Sequence, residues 1–142
     1  NKYRRVHRWM GRLYLSGVAV GGIGGAYMAV YSFGGFPIQL CFGLFAIGWL
    51  FTGSMAFRHI RQANVGAHRE WMIRNYALTL GPALFRAIHR PLFSLFLDDR
   101  MMIFTAAIWF ALLGHLLVAE FIIQRKHMKK VTAVAYGALR RV

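Results

Sequence analysis

The stretch HREWMIRNYALTLGPALFRAIHR, residues 68–90, decides how this chain folds. It has the length and apolar content of a membrane-crossing helix, yet Arg74, Asn75, Thr79 and Arg86 lie inside it. A cation at the centre of a bilayer costs roughly 2.5–3.5 kcal/mol on insertion scales. Such residues face protein or water and need partners. The other hydrophobic segments are therefore read as walls around this polar helix.

Three runs free of Lys, Arg, Asp and Glu set those walls: residues 13–57, interrupted by the turn Phe33-Gly34-Gly35-Phe36-Pro37, residues 75–85, and residues 101–119. A crossing takes about 20 residues of helix. The first run suffices for two crossings, and the last is nearly long enough alone. The middle run spans only by including Arg74 and Arg86. The expected fold is thus all-α: a single domain over residues 1–142, an integral membrane protein of four transmembrane helices in an antiparallel bundle. The helices are placed at about 13–31, 37–57, 69–88 and 101–123, with interfacial ends at 1–12 and 124–142. A content of 58% hydrophobic residues agrees with this reading.

The formal charge of +14 does not point to nucleic acid, because the cations sit at helix ends instead of on one soluble face. Lys2, Arg4, Arg5, Arg8 and Arg12 precede the first helix. Arg58, Arg61 and Arg69 flank the second turn, and Arg125, Lys126, Lys129 and Lys130 follow the last helix. The positive-inside rule then places both termini and the 58–69 segment in the cytoplasm of a bacterial inner membrane, against anionic lipid. Cys41 is the lone cysteine, so no disulfide or thiolate cluster is available.

Within the helices, Gly17, Gly21 and Gly25 recur every fourth residue and predict a close helix-packing face. Trp49, at mid-depth, reads as packing. Pro82 predicts a kink near Leu78. The apolar stretch 90–100 is expected along the outer interface, and residues 131–142 on the inner surface. Arg74 lies five residues inside Arg69, and Glu120 five inside Arg125. At ~1.5 Å per residue both are about 7–8 Å deep, which predicts a structural ion pair between them. His115 lies roughly 15 Å deep by the same count, level with Thr79.

The segments HRWMGRLY (residues 7–14) and HREWMIRNYALT (residues 68–79), followed by Arg86, resemble a family of bacterial integral membrane proteins of unknown function, domain of unknown function twenty-three-oh-six. The resemblance implies a four-helix membrane fold and an emphasis on His7, Arg12, His68, Arg69, Trp71, Arg74, Tyr76 and Arg86. It implies no reaction. A Leu-Pro exit usual in the family is replaced here by Ala87-Ile88-His89-Arg90-Pro91.

Three function classes fit. The first is a non-catalytic subunit that packs against other subunits of a larger membrane complex, respiratory or photosynthetic in type. It asks nothing special of the histidines. The second is a redox protein binding b-type haem, another tetrapyrrole, or quinone. His115, His68, His59 and His7 are its candidate ligands, with Arg74, Arg69 and Arg12 for propionates or quinone oxygens. The third is a small transporter with Arg74, Arg86 and Glu120 along its path, though no inverted repeat is visible. No serine has a matched histidine and acid, and no HxxxH or HExxH spacing suggests a metal.

Overall fold

The computed structural model describes residues 2–95 and 100–139, and these form four helices. They are α1 (Lys2–Tyr31), α2 (Phe36–Arg61), α3 (Val65–Leu95) and α4 (Arg100–Leu139). Three of them, over Tyr3–Tyr31, Phe36–Arg61 and Arg100–Lys129, are long and apolar enough to cross a membrane. By that criterion α3 does not qualify, because its arginines and Glu70 lower its apolar content.

The helices run past their apolar stretches. Residues 2–12 and 124–139 are helical continuations of α1 and α4. Arg and Lys are good helix formers, so the helix does not stop where its apolar stretch stops. Hydropathy marks the apolar stretch and is silent about the helix end. Likewise α3 continues to Leu95 through Pro82 and Pro91. The expected interfacial course of 90–100 falls partly on 96–99, and the surface face of the tail partly on 140–142; both lie outside the described residues.

The first turn depends on two glycines. Gly34 and Gly35 have φ of 98° and 78°, a region L side chains rarely adopt. A Cβ at Gly34 would also strike the Cδ1 of Ile38. From the start of α2, Gln39 Nε2 donates to the carbonyls of Val30 and Ser32, each at 3.3 Å. This satisfies carbonyls that the end of α1 leaves open. The second turn passes through Ala63 at φ 57°, and Asn64 Oδ1 accepts the Ala67 N–H at 3.1 Å, capping α3.

Packing follows the order of the chain: α1 on α2, α2 on α3, α3 on α4, with α2 also touching α4. The short turns make α1 with α2 and α2 with α3 antiparallel, and α4 runs antiparallel to α3, with Glu70 by His127, Arg74 by Glu120 and Phe85 by Phe104. Cys41, Leu78 and Leu112 form the buried centre, surrounded by Phe45, Trp49, Ile108, Trp109 and Leu116. Lipid tails are as apolar as leucine, so close approach at small residues must hold the helices together. A Cβ added at Gly21 would come within 2.6 Å of the Trp49 ring, and one at Gly25 within 3.1 Å of the Ala46 Cβ. Gly22, not singled out by the four-residue spacing, is filled by Leu50. Gly17 has nothing within 4 Å and is open.

Substitution should separate these positions. Gly21→Leu forces α1 off α2 and is expected to cost about 1–3 kcal/mol, the usual penalty of overpacking. Gly17→Leu should leave the thermal midpoint in detergent unchanged. Equal losses for both would refute the register.

Candidate functional site

Asn75 is completely buried on α3. A carboxamide has two N–H donors and an acceptor oxygen, and where water is absent each must find a protein partner. Asn75 Nδ2 donates to the Trp49 carbonyl at 2.9 Å and to Thr52 Oγ1 at 2.8 Å, both on α2. Its Oδ1 accepts from the Tyr14 hydroxyl of α1 at 2.7 Å. One amide thus fastens three helices.

Thr79, one turn further along α3, extends the network. Its Oγ1 accepts from Trp49 Nε1 at 2.9 Å and lies 2.7 Å from the Tyr14 oxygen and 2.9 Å from the Asn75 carbonyl. With the Tyr14 proton committed to Asn75, the Thr79 proton serves one of those two oxygens. Thr52 passes its own proton to the Gly48 carbonyl at 2.8 Å. Every proton of the cluster is used, so the cluster binds helices together and has no donor to spare.

Beside it lies a groove of about 360 Å³ between α1 and α3, with Trp49 at its base. Met10, Leu13, Tyr14, Gly17, Val18 and Thr79 form its sides. Gly17 and the Tyr14 and Thr79 hydroxyls thus border a recess at the flank of the bundle.

On the α4 side of α3, Arg74 Nε and Nη2 both donate to Glu120 Oε2, at 3.1 and 2.9 Å. The Trp71 ring lies 5.0 Å from that guanidinium, and Phe51 meets Trp71 edge-on at 5.5 Å. The side chains of Arg74 and Glu120 are 23% and 43% exposed, so this pair is half open. One turn nearer the start of α3, Glu70 Oε1 lies 2.8 Å from His127 Nε2. Both described carboxylates therefore sit on the α3–α4 seam.

The histidines are spread out. His68 Nδ1 bonds the Ala56 carbonyl of α2 at 2.8 Å, while His115 Nδ1 bonds the Ala111 carbonyl of its own helix. His59 is half-buried, and its Nδ1 has no hydrogen-bond partner among the described residues. His7, Arg12 and Arg69 are exposed, with Arg12 5.6 Å from the Trp9 ring. Topology brings His7, Arg12, His59, His68 and Arg69 to one end of the bundle, with His115 well along α4. Among the described residues no three His, Cys, Asp or Glu side chains gather as a metal would need. Tyr76 rests on Tyr14 at 4.7 Å between ring centres. The sequence reading missed Tyr14, Thr52 and the hydrogen-bonding role of Trp49. The available signal was the unmet demand of Asn75.

Apolar helices of crossing length, packed by glycines around polar atoms that satisfy one another, define a multi-pass helical membrane protein. The chain belongs to the predicted membrane protein family DUF2306, whose family model matches residues 1–123 and so includes the whole Asn75 cluster and Glu120. No curated protein and no solved structure matches it.

The cluster can be tested by a double-mutant cycle in a detergent unfolding titration followed by circular dichroism. Asn75→Ala removes the acceptor of the Tyr14 proton and the donor to Thr52 and the Trp49 carbonyl, and should cost about 1–3 kcal/mol. Combined with Tyr14→Phe, it should show a coupling of about 0.6–1.7 kcal/mol, the range of hydrogen bonds between membrane helices. Strict additivity would contradict the bond.

Proposed function

We propose that this chain is a non-catalytic subunit of a larger membrane-protein assembly in the bacterial inner membrane, of respiratory or photosynthetic type. In this reading α3 crosses with α1, α2 and α4. The charge distribution supports cytoplasmic termini and a cytoplasmic α2–α3 turn. The groove between α1 and α3 carries the proposal. Two hydroxyls and a bare glycine border a recess where a lipid-facing surface would be smoothly apolar. A transmembrane helix of a partner subunit fits there, with a small or polar residue against Tyr14 and Thr79. The interior cluster supports the non-catalytic part of the reading, since its protons are committed to holding helices.

A photoreactive phenylalanine at position 13, on the wall of the groove, tests this in native membranes. Irradiation should yield one discrete adduct with a second polypeptide. Gly17→Leu should abolish both the adduct and co-purification of that polypeptide while leaving the thermal midpoint unchanged. Adducts with lipid alone would overturn the proposal.

One observation favours a second reading, a tetrapyrrole-binding redox protein. The Nδ1 bond from His68 to a backbone carbonyl orients the ring and presents Nε2, the arrangement typical of metal-bound histidine. Protein from its native host would then show a Soret band that His68→Ala removes. A colourless preparation would eliminate this reading.

A further inference from the structure

At the opposite end of the bundle, α2, α3 and α4 enclose a second cavity of about 200 Å³. Its walls are apolar and largely aromatic, with Phe42 and Phe45 from α2, Phe85 from α3, and Phe104 and Ile108 from α4. The one charged side chain lining it is Arg86. Arg86 Nη1 donates to the Pro82 carbonyl at 3.2 Å, which folds the side chain back along α3 toward the cavity. Arg90, four residues on, lies one turn further on the same face, and both arginines are exposed. Among the described residues the carboxylates are Glu70 and Glu120, paired at the other end.

Size and charge narrow the occupant. Pockets that bury a drug-sized ligand hold roughly 300–1,000 Å³, so this one seats only part of a molecule, such as one flexible chain. Measured along α3, Arg86 lies 17 residues from Arg69, or about 25 Å at 1.5 Å per residue. In a hydrocarbon core of about 30 Å, that puts its guanidinium near the far headgroup layer with the cavity beneath it. A cation at headgroup level above an apolar chain-sized slot matches an anionic amphiphile. Guanidinium groups bind phosphate through paired, charge-assisted hydrogen bonds.

We propose that this cavity is a binding site for an anionic phospholipid of the non-cytoplasmic leaflet, with one acyl chain between Phe45, Phe85 and Phe104 and its phosphate on Arg86 and Arg90. Basic recesses between transmembrane helices recognise lipid headgroups in this way. The inference rests on the reading in which α3 crosses the membrane.

Native mass spectrometry of the detergent-purified full chain tests it, with acyl-matched phosphatidylglycerol and phosphatidylcholine as probes. Both lipids carry a phosphate, but the choline cation neutralises that of phosphatidylcholine, so wild-type protein should retain phosphatidylglycerol about tenfold better, the equivalent of about 1.4 kcal/mol. Arg86→Gln should erase the preference, and Ala111→Phe, which fills the cavity, should reduce retention of both lipids. Equal retention of the two lipids by the wild type would overturn the site. Displacement of phosphatidylglycerol by inorganic phosphate alone would overturn the chain-in-cavity arrangement. The crossing itself is read separately: Arg90→Cys should react with a membrane-impermeant maleimide added to the non-cytoplasmic side. Labelling from the cytoplasmic side would refute the leaflet assignment whatever the lipid preference.

Discussion

The fold turns on the need of one buried carboxamide, Asn75, to satisfy three hydrogen-bonding positions where water is absent. Its two protons reach α2 and its oxygen reaches α1, so a single side chain fixes the relation of three helices. The net energy of such bonds in membranes is modest, averaging about 0.6 kcal/mol, because the separated helices also find partners. Their effect is therefore on choice of arrangement. Sliding α3 one residue along α2 would lose the Trp49 carbonyl and Thr52 together, and the Tyr14 hydroxyl with them. Apolar packing alone would tolerate that slip far better.

Glycine makes the arrangement sterically available. A Cβ at Gly53 would lie 3.3 Å from both Asn75 Nδ2 and a methyl of Val18, and one at Gly48 3.6 Å from Leu78. The same helix approaches α1 where Gly21 and Gly25 receive Trp49 and Ala46. Thus α2 is central because it and its neighbours are thin at matching levels. The polar cluster and the glycines are two halves of one device: the thin surfaces allow contact, and the amide decides its register.

Much of this was legible before any coordinates. Long uncharged runs gave helices, two short Gly- and Asn-containing turns gave hairpins, and a polar third helix demanded shelter. Less legible were properties that depend on rotation and on distant neighbours. Counting residues gives depth along a helix, and so puts Arg74 and Glu120 on one level, but azimuth decides which neighbour a side chain meets. Nothing in the local sequence of Tyr14 or Thr52 marks either as a partner of Asn75. Their roles exist only opposite Asn75. The glycine stripe shows the same limit, since Gly21 and Gly25 are filled, Gly17 is open, and Gly22 is used off the stripe. The helices extend beyond their apolar stretches because basic residues still favour helix.

Two of the arginines of α3, Arg74 and Arg86, show how surroundings change what a charge requires. Arg74 lies about one and a half turns beyond Arg69 on α3, at the seam with α4. It has a carboxylate at 2.9 Å and an aromatic face at 5.0 Å. Removing Glu120 would leave the guanidinium with the Trp71 ring and no carboxylate. Arg86, about three turns further along α3, is exposed, and its guanidinium bonds the Pro82 carbonyl. A charge compelled to pair is a structural element, whereas one that reaches the headgroup layer is available to an anion from outside the protein. That difference is why α3 can hold the bundle together at one end and present a recognition surface at the other.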